Sequence, residues 1–342
     1  MNFTRESIFV GAIRSFCTSI ALILGLAIGI GLVGIGIAVL VGPNYLPPKA
    51  NPMIAPDAKG SRVLLPGSSP AILRIDFHGV IGVGDLTSEK IDNLLLDSRD
   101  DFLRGDRVKA VLLHMDTPGG AATDADAIYR ALLAYKEKYK VPVYVYVDGL
   151  CASGGMYISS AADKIYASPP SVIGSVGVIM GPNFNFSEAM AKYGIASLTL
   201  TQGKDKDALN PFRPWRPDED SSLKAVIASL YDRFVSIVAT ARPQLTREKL
   251  VNDFGAHVFI AKEAEENGYI DVAGSDYSEA VHDLATAAGI EGKYQVVQLT
   301  PQHPFFDGLS QTTLPQKVLS WLGLSSPEKN QLSGKLLYMY VP

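Results

Sequence analysis

The chain has 342 residues, 47% of them hydrophobic, 19% charged and 9% aromatic, and its 31 Lys plus Arg against 35 Asp plus Glu leave a formal charge of −4. That composition folds rather than staying disordered, and it lacks the basic excess of a nucleic-acid binder. Two cysteines, Cys17 and Cys151, make no disulfide framework, and five scattered histidines without a CxxC or HExxH make no metal cluster, so neither metal nor cofactor is expected.

Phe16 to Val41 runs for 26 residues without a charge. As a helix it would measure about 39 Å, against a hydrocarbon core of roughly 30 Å. Gly42-Pro43 ends it. A buried core helix of that length, apolar all round, is the weaker reading. A cleaved signal peptide is the better rival, but the run exceeds the usual signal core and Val39-Leu40-Val41-Gly42 is not a small-residue cleavage site. An uncleaved anchor is the expectation. Arg5 and Arg14 then stay cytoplasmic, and everything after Val41 lies outside the cytoplasm. Gly25 and Gly29 form one GxxxG spacing, a weak sign of helix pairing. Residues 43–70 carry seven prolines and read as a semi-rigid spacer.

The remaining elements alternate. Strands are predicted at Ala71–Phe77, Val108–Met115 and Val141–Val147, with a helix over Thr123–Tyr139 between the last two. Next come a helix at Gly154–Ala162, short strands at Lys164–Ala167 and Val176–Met180, a helix at Ser187–Tyr193 and a strand at Ser197–Thr201. A further helix starts after Asp218-Glu219-Asp220 and reaches about Ala241, and the later third reads as mainly helical. Strand, helix and strand in short succession imply an α/β fold with largely parallel pairing. The aliphatic stretch 314–341, with Trp321, is open between core, subunit contact and tail.

Three polar features fall at the carboxyl ends of predicted strands, where such folds place their sites. Asp116-Thr117-Pro118-Gly119-Gly120 is either a plain Pro-Gly turn or a loop whose backbone N–H groups face a substrate. In Cys151-Ala152-Ser153-Gly154-Gly155, a serine ahead of an apolar helix is commonly an N-cap. It also stands where a nucleophile gains from the following amides, and its small neighbours leave room for a substrate. Cys151 is the competing nucleophile, but its place in the strand favours burial. A serine needs a base. His78, His114, His257, His282 and His303 announce no triad, and His114 suits a core position. A lysine serves if it loses its proton, which burial promotes. The loop Gly203-Lys204-Asp205-Lys206-Asp207 contains two lysines, and spacing alone selects neither.

These stretches resemble the signal peptide peptidase A (SppA) family, membrane-anchored Ser/Lys proteases of the ClpP/crotonase superfamily. The matching segments are DTPGG (116–120), ASGGMYISSAADKIYASPPSVIGSVGVI (152–179), GKDKDALNPF (203–212) and IAKEAEENGYID (260–271), in the family's order. The resemblance implies a ClpP/crotonase-like fold of repeated ββα units in a superhelical domain, behind one transmembrane helix. The implied organisation is a cytoplasmic segment 1–15, an anchor 16–41, a linker 42–70, a protease domain 71–300 and an extension 301–342. Position by position it makes Ser153 the nucleophile, Lys206 the general base and Ser175 the residue that orients the lysine amine. Gly119, Gly120 and Gly154 match the oxyanion hole. Asp205 departs from the family, which usually has an aromatic there, and a carboxylate beside the base opposes its deprotonation unless it points into solvent. The family also implies a homo-oligomer whose dyad is shared between protomers, because this chain has one serine block and one lysine block. Its substrates would be remnant signal peptides and other hydrophobic membrane-derived peptides, met on the periplasmic side of a bacterial inner membrane. An acyl-CoA enzyme of the same superfamily and a protease-like membrane scaffold are the alternatives.

Overall fold

A computed structural model describes residues 8–41, 49–301 and 336–340, in two compact units, Met1–Pro48 and Lys49–Pro342. In the first unit, α1 (Ile8–Val41) is one continuous helix of 34 residues. Its Val10–Val33 portion has a mean hydropathy of 2.4 and is long and apolar enough to cross a membrane. The leucines and isoleucines of that portion, such as Leu22, Leu26 and Ile30, are exposed all round rather than on one face, as a helix surrounded by lipid requires.

The second unit is built on a mixed sheet, in agreement with the α/β expectation. Its strands are β1 (Asn51–Ala55), β2 (Ala71–His78), β3 (Val108–Thr117), β4 (Gly119–Ala121), β5 (Val143–Ala152), β6 (Lys164–Ala167), β7 (Val172–Gly174), β8 (Val258–Ile260), β9 (Val272–Ala273), β10 (Gln295–Thr300) and β11 (Leu337–Met339). The main order is β1-β10-β2-β3-β5-β6-β9, with β7 paired to β5 and β8 to β7, while β11 pairs with β4. From β10 to β9 the pairing is parallel. β3 and β5 read as nearly continuous apolar runs because both faces of the sheet are covered.

The helices are α2 (Ser88–Asp97), α3 (Ala122–Tyr139), α4 (Gly154–Ser159), α5 (Ser187–Lys192), α6 (Ser221–Ala241), α7 (Ala261–Asn267) and α8 (Tyr277–Ala287). α3 buries Ala122, Ala125, Ile128, Leu132 and Tyr135 at helical spacing, and stops where Lys140 turns left-handed ahead of Pro142. Each large aliphatic side chain so buried contributes about 1.5–3 kcal/mol. α2, α3, α4 and α6 pack with one face of the sheet through Leu73, Ile75, Val111 and Leu113. α8, capped by Asp276 accepting from the Glu279 N–H at 2.9 Å, covers the other face against Ile72, Leu112 and Val296.

Several expectations change. Val176–Met180 is not a strand; it contributes one bridge, Ile179 to Leu337. Ser197–Thr201 forms no strand either. Its leucines, Leu198 and Leu200, are 84% and 85% exposed, so the apolar alternation there has no partner strand in this chain to pair with. The predicted helix Gly154–Ala162 is shorter, Gly154–Ser159. Asn51–Ala55, inside the proline-rich stretch read as a spacer, instead adds an antiparallel edge strand to β10; Pro52 is tolerated there because an edge strand has an unpaired side. Trp321 and most of the 301–342 extension lie outside the described residues, but 336–340 returns to the domain as β11.

Candidate active site

The site begins where β5 divides. Tyr144–Val147 pairs with β6, whereas Leu150–Ala152 pairs with β7. The bend between them is at Gly149, with φ of +132°. Asp116 lies against Gly149 where a Cβ would stand, and its carboxylate accepts the Leu150 N–H at 3.0 Å. The first residue of the DTPGG stretch is thus a brace that aims the end of β5.

Ser153 follows directly, 1% exposed, with φ of 53° and ψ of −110°. This is a sparsely populated conformation for any residue with a side chain, and such strain persists only when the surroundings enforce it. Here they do. The Ser153 N–H donates to Gly174 O at 2.8 Å and its carbonyl accepts from the Tyr157 N–H at 3.0 Å. The side chain makes no capping hydrogen bond to α4, so the N-cap reading of Ser153 does not hold. Every residue of α4 is buried.

The glycine loop closes over the same spot. Gly119 has φ of +93°, and a Cβ on it would stand 2.6 Å from the Gly154 nitrogen and 3.0 Å from Ala152 O. Only glycine fits that approach. Thr117, fully buried, accepts the Gly119 N–H at 3.1 Å and donates to Gly79 O at 2.6 Å. Ile81 and the loop are tied by Ile81 N–H to Gly119 O and Ala121 N–H to Ile81 O, both 2.9 Å. Gly119, Gly120, Ser153 and Gly154 therefore converge. Ser175 lies one residue beyond the carbonyl that holds Ser153, with φ of 55° and its N–H on His257 O at 2.8 Å. A Cβ on Gly174 would meet that same His257 oxygen at 2.5 Å.

Lys206 is not part of this convergence within one chain. It is exposed, and among the described residues no hydrogen bond joins it to Ser153 or Ser175. Its loop is nonetheless built. Arg213 binds Asp207 and buried Glu219, each at 2.7 Å, and Arg216 reaches Asp207 at 2.8 Å. Asp205, the departure from the family pattern, has φ of 57°, a conformation that Asp adopts more readily than an aromatic side chain does.

Cys151 is fully buried, 3.2 Å from the Ser159 hydroxyl, and burial pushes its thiol up to about 12. It is a small core hydrophobe, not a nucleophile. The histidines are less scattered than they look in sequence. Asp76, His78 and His114 offer ligand atoms within 4.8 Å of one another. Arg74 occupies their midst, however, donating to Asp76 at 2.6 Å and to His114 Nδ1 at 2.8 Å. With a guanidinium inside it, the group is an ion-pair network beneath α8 rather than a cation site.

Sequence reasoning missed the wall beside α4. The Tyr157 hydroxyl donates to Asp126 at 2.6 Å, and Arg233 of α6 donates to the same carboxylate at 2.6 Å. Burial raises the Asp126 carboxyl, but the bonds from Tyr157 and Arg233 outweigh it and hold it below its ordinary value. The three residues lie far apart in sequence, and no local pattern joins them.

Known proteins share these stretches. The model of peptidase family S49 matches residues 135–291. A protein of Enterococcus faecium named as a signal peptide peptidase SppA is 30% identical over 278 residues, covering 78% of this chain and 76% of that protein. This chain belongs to peptidase family S49. As an S49 member it is a serine peptidase, and the acyl-CoA and scaffold alternatives fall away. A protein of Synechocystis sp. named as a protease is 35% identical over 182 residues, 53% of this chain and 64% of that one. Protease 4 of Salmonella typhi is 31% identical over 208 residues, 61% of this chain but 32% of its own length. Among solved structures, a membrane-bound stomatin-specific protease in complex with a substrate peptide superposes with a TM-score of 0.41 at 17% identity, covering 71% of this chain and 97% of that one.

Proposed function

We propose that the chain is a membrane-anchored endopeptidase with a Ser-Lys dyad, in which Ser153 is the nucleophile and Lys206 the general base. The observation that carries this is the enforced backbone of Ser153, buried and uncapped beside Gly119, Gly120 and Gly154. Strain of that kind marks residues whose placement serves chemistry.

In the reaction, the proton-free amine of Lys206 takes the Ser153 proton while the serine oxygen bonds to a peptide carbonyl carbon. Backbone N–H groups of the glycine loop and Gly154 hold the oxyanion. The lysine then gives its proton to the departing amine, the C–N bond breaks, and water repeats the sequence to release the acyl group. Ser175 holds the lysine amine in line. Lys206 stands exposed on its loop, which supports a dyad completed by the neighbouring protomer of a homo-oligomer. Seating the loop in a neighbour's groove removes the amine from water, the step that favours its neutral form. Asp205, with its left-handed backbone in the same loop, is the residue whose orientation decides how far that holds. The apolar helix α1 supports anchoring in a bacterial inner membrane, with the protease domain on the periplasmic side. Peptides left in that membrane, signal-peptide remnants among them, are the substrates to hand.

Ser153→Ala is expected to abolish cleavage and fluorophosphonate labelling, and Lys206→Ala to cost a similar amount because the two act as a unit. Mixing the two inactive proteins should restore part of the activity, since a mixed oligomer contains intact pairs. Cleavage surviving in Ser153→Ala overturns the nucleophile assignment; no recovery on mixing overturns the shared dyad.

A further inference from the structure

Residues 336–340 lie along the glycine loop as a strand. Leu337, Tyr338 and Met339 stand antiparallel to Ala121, Gly120 and Gly119. Ala122 N–H donates to Leu336 O at 2.9 Å and Tyr340 N–H donates to Pro118 O at 2.7 Å. On the opposite edge, Ile179 and Leu337 exchange N–H to carbonyl bonds at 3.0 and 3.1 Å. The segment is therefore bonded on both sides, as a peptide held for cleavage is.

The register decides which carbonyl faces the glycines. Bonded pairs recur at every second residue of an antiparallel ladder. With Leu336–Ala122 and Tyr340–Pro118 bonded, the pair between them is Tyr338–Gly120, and the Gly120 N–H points at Tyr338 O. That oxygen is also the atom a Cβ on Gly119 would overlap, and a Cβ on Gly154 would stand 3.0 Å from it. One carbonyl of the chain itself thus rests among the three glycines of the oxyanion position.

A residue whose carbonyl sits there places its side chain in the pocket that reads the amino side of the cut. For Tyr338 that pocket is aromatic and closed. Its ring is 1% exposed, stacked on Tyr157 at 5.0 Å and 20° and tilted on Phe234 at 4.8 Å. Its hydroxyl donates to Leu230 O at 3.1 Å. Tyr157 is braced in turn by Asp126 and Arg233. A small residue would leave this space unfilled, and a charged one would be buried without a partner.

We propose that residues 336–340 are a resident substrate mimic, whose Tyr338 occupies a specificity pocket, walled by Tyr157 and Phe234, that selects a large aromatic residue before the scissile bond. The segment competes with substrates for the groove. This rests on Ser153 and the glycines being the catalytic site.

The test uses the full chain in detergent and one fluorogenic peptide series, varied only at the residue before the cut. Tyr or Phe is expected to exceed Ala and Lys about 10–100-fold in kcat/KM, the range that a filled apolar pocket confers. Tyr338→Gly, with its fold checked by circular dichroism, should lower KM about tenfold for every peptide. The synthetic peptide KLLYMYVP, residues 335–342, should inhibit that variant competitively. A flat or inverted profile on the unsubstituted chain overturns the pocket, whatever the variant does. An unchanged KM in folded Tyr338→Gly, or no inhibition by the peptide, overturns the competition. Fluorophosphonate labelling of Ser153 separates the two levels: no labelling means the catalytic reading has failed, and labelling with a flat profile means only this inference has.

Discussion

Gly154→Ala separates the oxyanion site from the stability of the fold. Gly154 has no left-handed φ, so alanine meets no backbone penalty, and helix propensity favours it by up to about 1 kcal/mol. The added methyl would lie 3.2 Å from Ile81 Cδ1 and 3.3 Å from Gly119 Cα, tight contacts that cost about 1–3 kcal/mol where a neighbour must give way. The net change in stability is then within about 2 kcal/mol. The effect on catalysis is more specific. The same methyl would stand 3.0 Å from the carbonyl oxygen resting among the glycines, where ordinary contact starts at 3.4 Å. A bound carbonyl must retreat by a few tenths of an ångström, away from the N–H groups that serve its transition state. Losing one such donor outright costs about 10²–10³ in rate. Displacing the oxygen without removing a donor should cost about 10–100-fold, roughly 1.4–2.7 kcal/mol. The loss should appear in kcat, because the interaction strengthens as the oxyanion forms. The assay is hydrolysis of a hydrophobic fluorogenic peptide alongside thermal unfolding. A kcat within twofold of the unsubstituted chain, at unchanged Tm, refutes the assignment of Gly154.

Three further outcomes follow from neighbouring contacts. Thr117→Val keeps the shape but removes the hydroxyl between Gly119 N–H and Gly79 O; a loss of about 1–3 kcal/mol, read as a lower Tm with a lower kcat, is expected. Arg242 is buried and binds Asp271 at 2.7 Å and Gly268 O at 3.1 Å, so Arg242→Ala should lower the denaturant midpoint by the equivalent of about 3–5 kcal/mol, and Arg242→Met by less. At Asp76, burial pushes the carboxyl up, but His114 and Arg74 override it and hold the group at about 2, below its ordinary 3.8. A depressed carboxyl stabilises the fold above the unfolded value and loses that contribution as pH falls toward 2. The stability gap between the unsubstituted chain and Asp76→Asn, measured by chemical denaturation, should therefore narrow by roughly 2 kcal/mol between pH 5 and pH 2; a gap independent of pH refutes the pairing.

Periodicity and local chemistry alone determine a good part of this protein. The unbroken apolar run becomes α1, because helical hydrogen bonding needs only its own backbone. Strands β2, β3 and β6 and helices α3 and α6 begin within a residue or so of where their patterns place them. Ser153 and the two glycine pairs are legible for the same reason: small residues at a strand end have few other uses. Whatever depends on a partner distant in sequence is decided by the tertiary structure. Alternating Leu198 and Leu200 suggest a strand, yet a strand exists only against a neighbour, and the single chain supplies none. The aliphatic residues around Tyr338 fit core, contact or tail equally well until Gly120, Ile179 and the Tyr157–Phe234 wall fix the segment along the glycine loop. Asp126 and Arg233 meet 107 positions apart. Pairing across such separations is a property of the packed fold, because the free energy that selects it comes from burying both partners together.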